Sequence, residues 1–137
     1  MKDLIDYGVI GILIFLSVIV FAIILERIYL LRKIDFTYYS SRDSLELDLT
    51  KNLTLLSTIG TNAPYIGLLG TIGGIMITFI DIGNNNSINT QDIMVGLALA
   101  LKATALGIIV AIPSIGAYNL LLRKVEIILL AWDEYNG

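Results

Sequence analysis

Three stretches of this sequence run for 19 to 30 residues with at most one charged side chain, and about 20 apolar residues in a helix are what it takes to cross the roughly 30 Å of hydrocarbon in a bilayer. The first is Tyr7 to Leu25, between Asp6 and Glu26. The second is Asn52 to Ile80. Its opening residues (Ser57, Thr58, Gly60, Thr61, Asn62) are polar, so the membrane-crossing part is predicted at about 63–80. The third, Ile93 to Leu122, is broken only by Lys102. As a helix it is about 45 Å long, so its ends project beyond the hydrocarbon and the span itself is set at about 97–118. With 56% hydrophobic residues and a mean hydropathy of +0.82, the chain lies far from the balance of a soluble globule. An all-α membrane protein is predicted, one integral-membrane domain over residues 1–137 with three transmembrane helices and cytoplasmic helical extensions. The first span reads as retained, not as a cleaved signal: Lys2-Asp3-Leu4-Ile5-Asp6 is not net positive, and no small-residue cleavage site follows the apolar core.

Orientation follows from the basic residues in the short connections. The segment 26–62 holds Arg27, Arg32, Lys33, Arg42 and Lys51, the tail 119–137 holds Arg123 and Lys124, and the loop 81–92 holds none. The positive-inside rule then places 26–62 and the C-terminus in the cytoplasm, with the N-terminus and the 81–92 loop outside.

The cytoplasmic parts read as helical. Asp43 and Glu46 have the spacing of a capping box, and Leu45, Leu49, Leu53 and Leu56 follow at helical intervals. Past the third span, Leu121, Val125, Ile128, Leu129 and Trp132 share one face, which suits a protein contact or an interfacial helix. Pro64 fits the first turn of a helix capped by Asn62, or marks a kink in a longer one. The Asn-x-Ser/Thr triplets at Asn52 and Asn85 are read as chance matches.

Composition excludes several chemistries. The sequence has no cysteine and no histidine, which removes the common zinc sites, thiolate nucleophiles and Ser-His or Cys-His pairs. No catalytic pair remains, so an enzyme is not expected, and no cofactor is called for. Nine basic residues within a net charge of -3 make no extended surface for nucleic acid.

Small and hydroxylated residues recur on one face of each of the last two spans. In the second the series is Pro64, Gly67, Thr71, Gly74 and Thr78; in the third it is Ala100, Thr104, Gly107, Ala111, Ser114 and Tyr118. Gly70-x-x-x-Gly74 and Gly107-x-x-x-Ala111 match the small-xxx-small pattern by which membrane helices approach closely. Packing alone accounts for such stripes. So does a lining for protons or a partner helix, because a hydroxyl both donates and accepts without the permanent charge that is costly in lipid.

Lys102 stands about 200° around the helix from Thr104, and so on a different face. With the outer boundary near Ala98 it is about 6 Å deep, within reach of snorkelling. A deeper position would cost about 2.5–3.5 kcal/mol and call for an ion pair, with Asp81 or Asp92 of a neighbour as candidates at the outer mouth.

The strings APYIGLLGTIGGIMITF (63–79) and GLALALKATALGIIVAIPSIGAYN (96–119) resemble the second and third membrane helices of the MotA/TolQ/ExbB proton-channel family in its short, ExbB-like form. Glu26-Arg27 after the first span adds to the likeness. The resemblance implies a ring, a homo-pentamer in the bacterial inner membrane, whose second and third helices surround the membrane helices of an ExbD-like partner. That partner supplies a protonatable aspartate, and its motion passes to a TonB-like protein that powers outer-membrane uptake. A role in the Tol envelope system, or that of a non-conducting membrane scaffold, are the alternative readings. Carried over by position, Thr71 and Thr104 match the family's pore threonines and Pro113 its third-helix proline, with Thr78 and Ser114 as further lining. Gly67, Gly70, Gly74, Gly107, Ala111 and Pro64 serve helix packing. Lys102 acquires the partner's carboxylate as another possible counter-ion. Where many members have a glutamate five residues before the third-helix threonine, this chain has Leu99. No Asp or Glu lies inside the three predicted spans, so the titrating group has to come from the partner.

Overall fold

The computed structural model describes residues 2–85 and 89–137. The last two residues of the Asn85 glycosylation triplet and the middle of the 81–92 loop therefore lie outside the described residues. Among the described residues four helices follow one another: α1 (Lys2–Lys33), α2 (Arg42–Leu49), α3 (Leu53–Asn85) and α4 (Thr90–Asn136), with a 3-10 turn at Phe36–Tyr38 between α1 and α2. Three of them, α1, α3 and α4, are long and apolar enough to cross a membrane. The most extensive packing in the chain is α3 on α4, and α1 lies against both.

The long helices overrun the predicted spans. The segment 26–62 holds the last turns of α1, all of α2 and the first ten residues of α3. Its leucine series is the reason. Leu45, Leu49, Leu53 and Leu56 are buried together with Leu31, Leu121, Val125, Ile128 and Leu129, so the helix ends carry their own apolar core beyond the three spans. The amphipathic stripe of α4 is thus covered by its own chain, with Trp132 packed at its edge and donating its indole N–H to the Tyr39 carbonyl at 3.2 Å. An exposed Arg42–Asp133 ion pair at 3.3 Å and an edge-to-face contact of Phe36 with Tyr135 flank it.

Two local expectations are corrected. The cap of α2 is Ser41, whose hydroxyl accepts from the Ser44 N–H at 3.1 Å; Asp43 lies inside the first turn. The capping-box spacing found the right turn two residues late, because serine is as good a cap as aspartate. Of the two readings for Pro64, the start of a helix is overturned and a place inside a longer helix holds: α3 runs through it. Asn62 caps nothing and returns its side-chain amide to the Thr58 carbonyl at 2.8 Å. Apolar packing on both sides holds the helix continuous past a residue that has no N–H to give the Gly60 carbonyl.

At the α2–α3 turn Asn52 adopts φ 67°, the left-handed conformation that asparagine tolerates better than most residues. From there its side chain reaches back to Glu26 at 3.2 Å.

Candidate functional site: a threonine pair in a glycine seam

The two small-residue faces meet each other inside one chain. A Cβ added to Gly67 would stand 2.5 Å from the carbonyl oxygen of Ala103, and one added to Gly107 2.6 Å from that of Ala63, so the backbones of α3 and α4 touch where these glycines sit. Gly70 and Gly74 face the methyl groups of Ala103 and Ala100 in the same way, and Ala111 is buried beside them. Close approach of this kind is what membrane helices use in place of a hydrophobic drive.

Into this seam project two hydroxyls. Thr71 on α3 is buried, at 7% exposure, and Thr104 on α4 is half-buried. Their Oγ1 atoms are hydrogen-bonded to each other. The Thr71 oxygen also lies 2.9 Å from the Ala100 carbonyl of the facing helix and 3.3 Å from the Gly67 carbonyl one turn back in its own. Thr104 is 3.5 Å from the Gly67 carbonyl, too long to compete. Each hydroxyl has one proton. The assignment that keeps the shortest contacts has Thr71 donating to Ala100 and Thr104 donating to Thr71, which leaves the lone pairs of the more accessible Thr104 oxygen free to accept.

The other two hydroxyls of the predicted lining are not part of this pair. Thr78 is buried and donates to the Gly74 carbonyl at 2.9 Å; Ser114 is fully buried and donates to the Val110 carbonyl at 2.6 Å, with Gly60 opposite it. Both bonds run one turn back along their own helices, the usual use of Ser and Thr in membrane helices. Pro64 is half-buried and Pro113 exposed, each within a continuous helix.

Lys102 is exposed and lines a cleft of about 190 Å³ between α1 and α4, whose walls are Asp6, Tyr7, Ile10, Leu99 and Ala103. Asp81 and Asp92 are exposed and do not line it.

Two residues with a place in this architecture escaped the sequence reading. One is Asp6, in that cleft. The other is Arg27, only 2% exposed near the C-terminal end of α1. Its Nη1 donates to the Asp48 carbonyl at 2.8 Å and to that of Leu49 at 3.3 Å, and its Nη2 to Glu26 at 2.9 Å. Arg27 thereby satisfies the last carbonyls of α2 and ties them to α1. The bond to Arg27, foremost, holds the Glu26 carboxyl below the usual glutamate range. The available signal was a charge pair directly after an uncharged stretch, but nothing in the sequence says which of Glu26 and Arg27 turns inward.

Comparison with known proteins identifies a family. A family model described as the MotA/TolQ/ExbB proton channel family matches residues 33–134. An ExbB-like biopolymer transport protein of Helicobacter pylori is 57% identical over 136 residues, which cover 99% of this chain and 91% of the relative. The biopolymer transport protein ExbB of Aquifex aeolicus is 52% identical over 136 residues, 99% of this chain and 92% of that one. With the ExbB of Pseudomonas putida, identity is 45% over 71 residues, 52% of this chain but only 22% of the longer protein.

Proposed function

The chain belongs to the MotA/TolQ/ExbB proton channel family, and from that premise we propose that it is the ring-forming subunit of a proton-driven motor that energises outer-membrane uptake. It acts with an ExbD-like partner, which brings the titrating aspartate, and with a TonB-like protein that carries the motion outward. The protein sits in the bacterial inner membrane with its N-terminus in the periplasm and its C-terminus in the cytoplasm, and a homo-pentamer encloses the partner's helices.

The observation that carries this reading is the Thr71–Thr104 pair. When the partner's carboxyl is protonated it donates to the free lone pair of Thr104, whose proton stays on Thr71. When the carboxyl ionises, the Thr104 hydroxyl rotates to donate to it, and Thr71 remains held by the Ala100 carbonyl. Both protonation states are therefore satisfied without a charge on this chain, where a buried carboxylate of its own would be costly. Since one charge moving through 100 mV releases about 2.3 kcal/mol, several protons are needed for substantial work, and a reversible, neutral contact suits repeated steps.

The test is uptake of an iron chelate in cells that co-express the partner. Thr104→Val abolishes energised uptake while the complex still assembles, and Thr104→Ser keeps it. Full uptake in a Thr71→Val/Thr104→Val double variant would leave a scaffold role as the better reading.

A further inference from the structure

The lone cation of the third span shares a cleft with an acid of α1 that lies just before the first span. Asp6 on α1 and Lys102 on α4 line the same cleft of about 190 Å³, and among the residues whose side chains are described no other charged one lines it. Asp6 is not turned out to lipid. It is half-buried, and its Oδ1 stands 4.0 Å from the position a Cβ on Gly74 would take, so the carboxyl points toward the α3–α4 seam at a place where α3 has no side chain. Three helices thus converge on one polar spot in a wall otherwise made of Tyr7, Ile10, Leu99 and Ala103.

We propose that Asp6 and Lys102 are mutual counter-ions, an intrachain clasp bridged through this cleft that fixes the outer half of α1 against α4. The gap between them has room for water, and a water bridge keeps a polar contact effective over a span longer than a direct bond. Burial of opposite charges at the edge of hydrocarbon favours their pairing over separate exposure, and the four-carbon lysine stem supplies the reach. Lys102 is two residues from Thr104, so the clasp positions α1 beside the turn of α4 that bears the threonine pair. Asp6 and Lys102 are positioning residues, and the clasp stands on its own geometry whatever cargo or partner the assembly serves.

The experiment uses the full-length protein in detergent. A carbodiimide, which joins an amine to a carboxyl when side-chain motion across the cleft brings the two into contact, is applied to the wild-type chain, and the cross-linked peptides are identified by mass. An Asp6–Lys102 amide is expected; Lys102 joined instead to Asp81 or Asp92, or left unjoined, overturns the proposal. In parallel, thermal unfolding is measured for Asp6→Asn, Lys102→Gln and the exchanged pair Asp6→Lys/Lys102→Asp. Each single change lowers the midpoint, and the exchange regains about half or more of the summed loss, because coupled sites depart from additivity. A strictly additive exchange overturns the clasp. Should either neutral variant fail to fold, Asp6→Glu retains both the amide and the wild-type midpoint, and Lys102→Arg, whose guanidinium does not couple, retains the midpoint alone; loss of any of these again contradicts the pairing.

Discussion

The Thr71 hydroxyl on α3 lies 2.9 Å from the Ala100 carbonyl on α4, a hydrogen bond between helices made about one turn along from where Gly67 meets the Ala103 carbonyl. The Ala100 carbonyl also accepts from its own helix in the ordinary i to i+4 pattern, so the threonine adds a bond where none is missing. Thr71→Val is therefore expected to cost only about 0.5–1.5 kcal/mol of stability, the net value of one hydrogen bond. Thr104→Val costs less, since Thr71 keeps its bond to Ala100. Thermal unfolding of the two purified variants checks the order, and their common loss of uptake separates function from stability.

The seam predicts a difference between glycines. At Gly107 an added methyl meets the Ala63 carbonyl at 2.6 Å, whereas at Gly11 nothing stands within 4 Å. Gly107→Ala is expected to destabilise the protein by about 1–3 kcal/mol through overpacking. Gly11→Ala is expected to stabilise it by about 0.5–1 kcal/mol through helix propensity. Opposite shifts of the unfolding midpoint are the result to look for.

Arg27 closes the end of α2 with a forked donor, and lysine has no fork. Arg27→Lys and Arg27→Met are both expected to lose about 1.5–3 kcal/mol, the value of hydrogen bonds to a charged group. Hydrogen exchange at α2 and the α2–α3 turn reports the loss locally, with the membrane-spanning parts of α3 and α4 unaffected.

The same contact gives a pH dependence. Glu26 has its carboxyl held low by Arg27, so the native state binds its proton more weakly than the unfolded chain. Its contribution is present above the ordinary glutamate range and fades as the pH falls through the depressed folded value. Since the side chain is half exposed, solvent keeps the effect small. Glu26→Gln is expected to flatten the acid limb of the unfolding-midpoint profile while leaving the Asp35 region, set by its own bond to Thr37, unchanged.

How much of this was legible in the sequence depends on whether the partner of each group is local. Uncharged length announced the three long helices, and the spacing of Leu45, Leu49, Leu53 and Leu56 announced a buried face, because both are properties of one helix. The stripes announced that Gly67, Thr71, Thr104 and Gly107 share faces. That α3 meets α4 so closely that the two threonines bond is a fact of packing between residues 33 positions apart. Lys102 was visible as an anomaly, yet Asp81 and Asp92 stood nearer to it along the chain than Asp6, which only the return of α1 brings alongside. Arg27 was hidden for the same reason: its acceptors are backbone carbonyls, which no pattern of side chains reveals.

The central claim is that Thr104 faces a carboxyl brought by another polypeptide. The absence of native cysteine makes the direct measurement clean. Thr104→Cys is introduced into this chain and a cysteine replaces the membrane aspartate of the co-expressed partner, with Phe15→Cys on the exposed face of α1 as the control. Oxidation in membranes is predicted to yield a disulfide-linked heterodimer from Thr104→Cys and none from Phe15→Cys. No heterodimer at position 104, or an equal yield from position 15, would contradict the account.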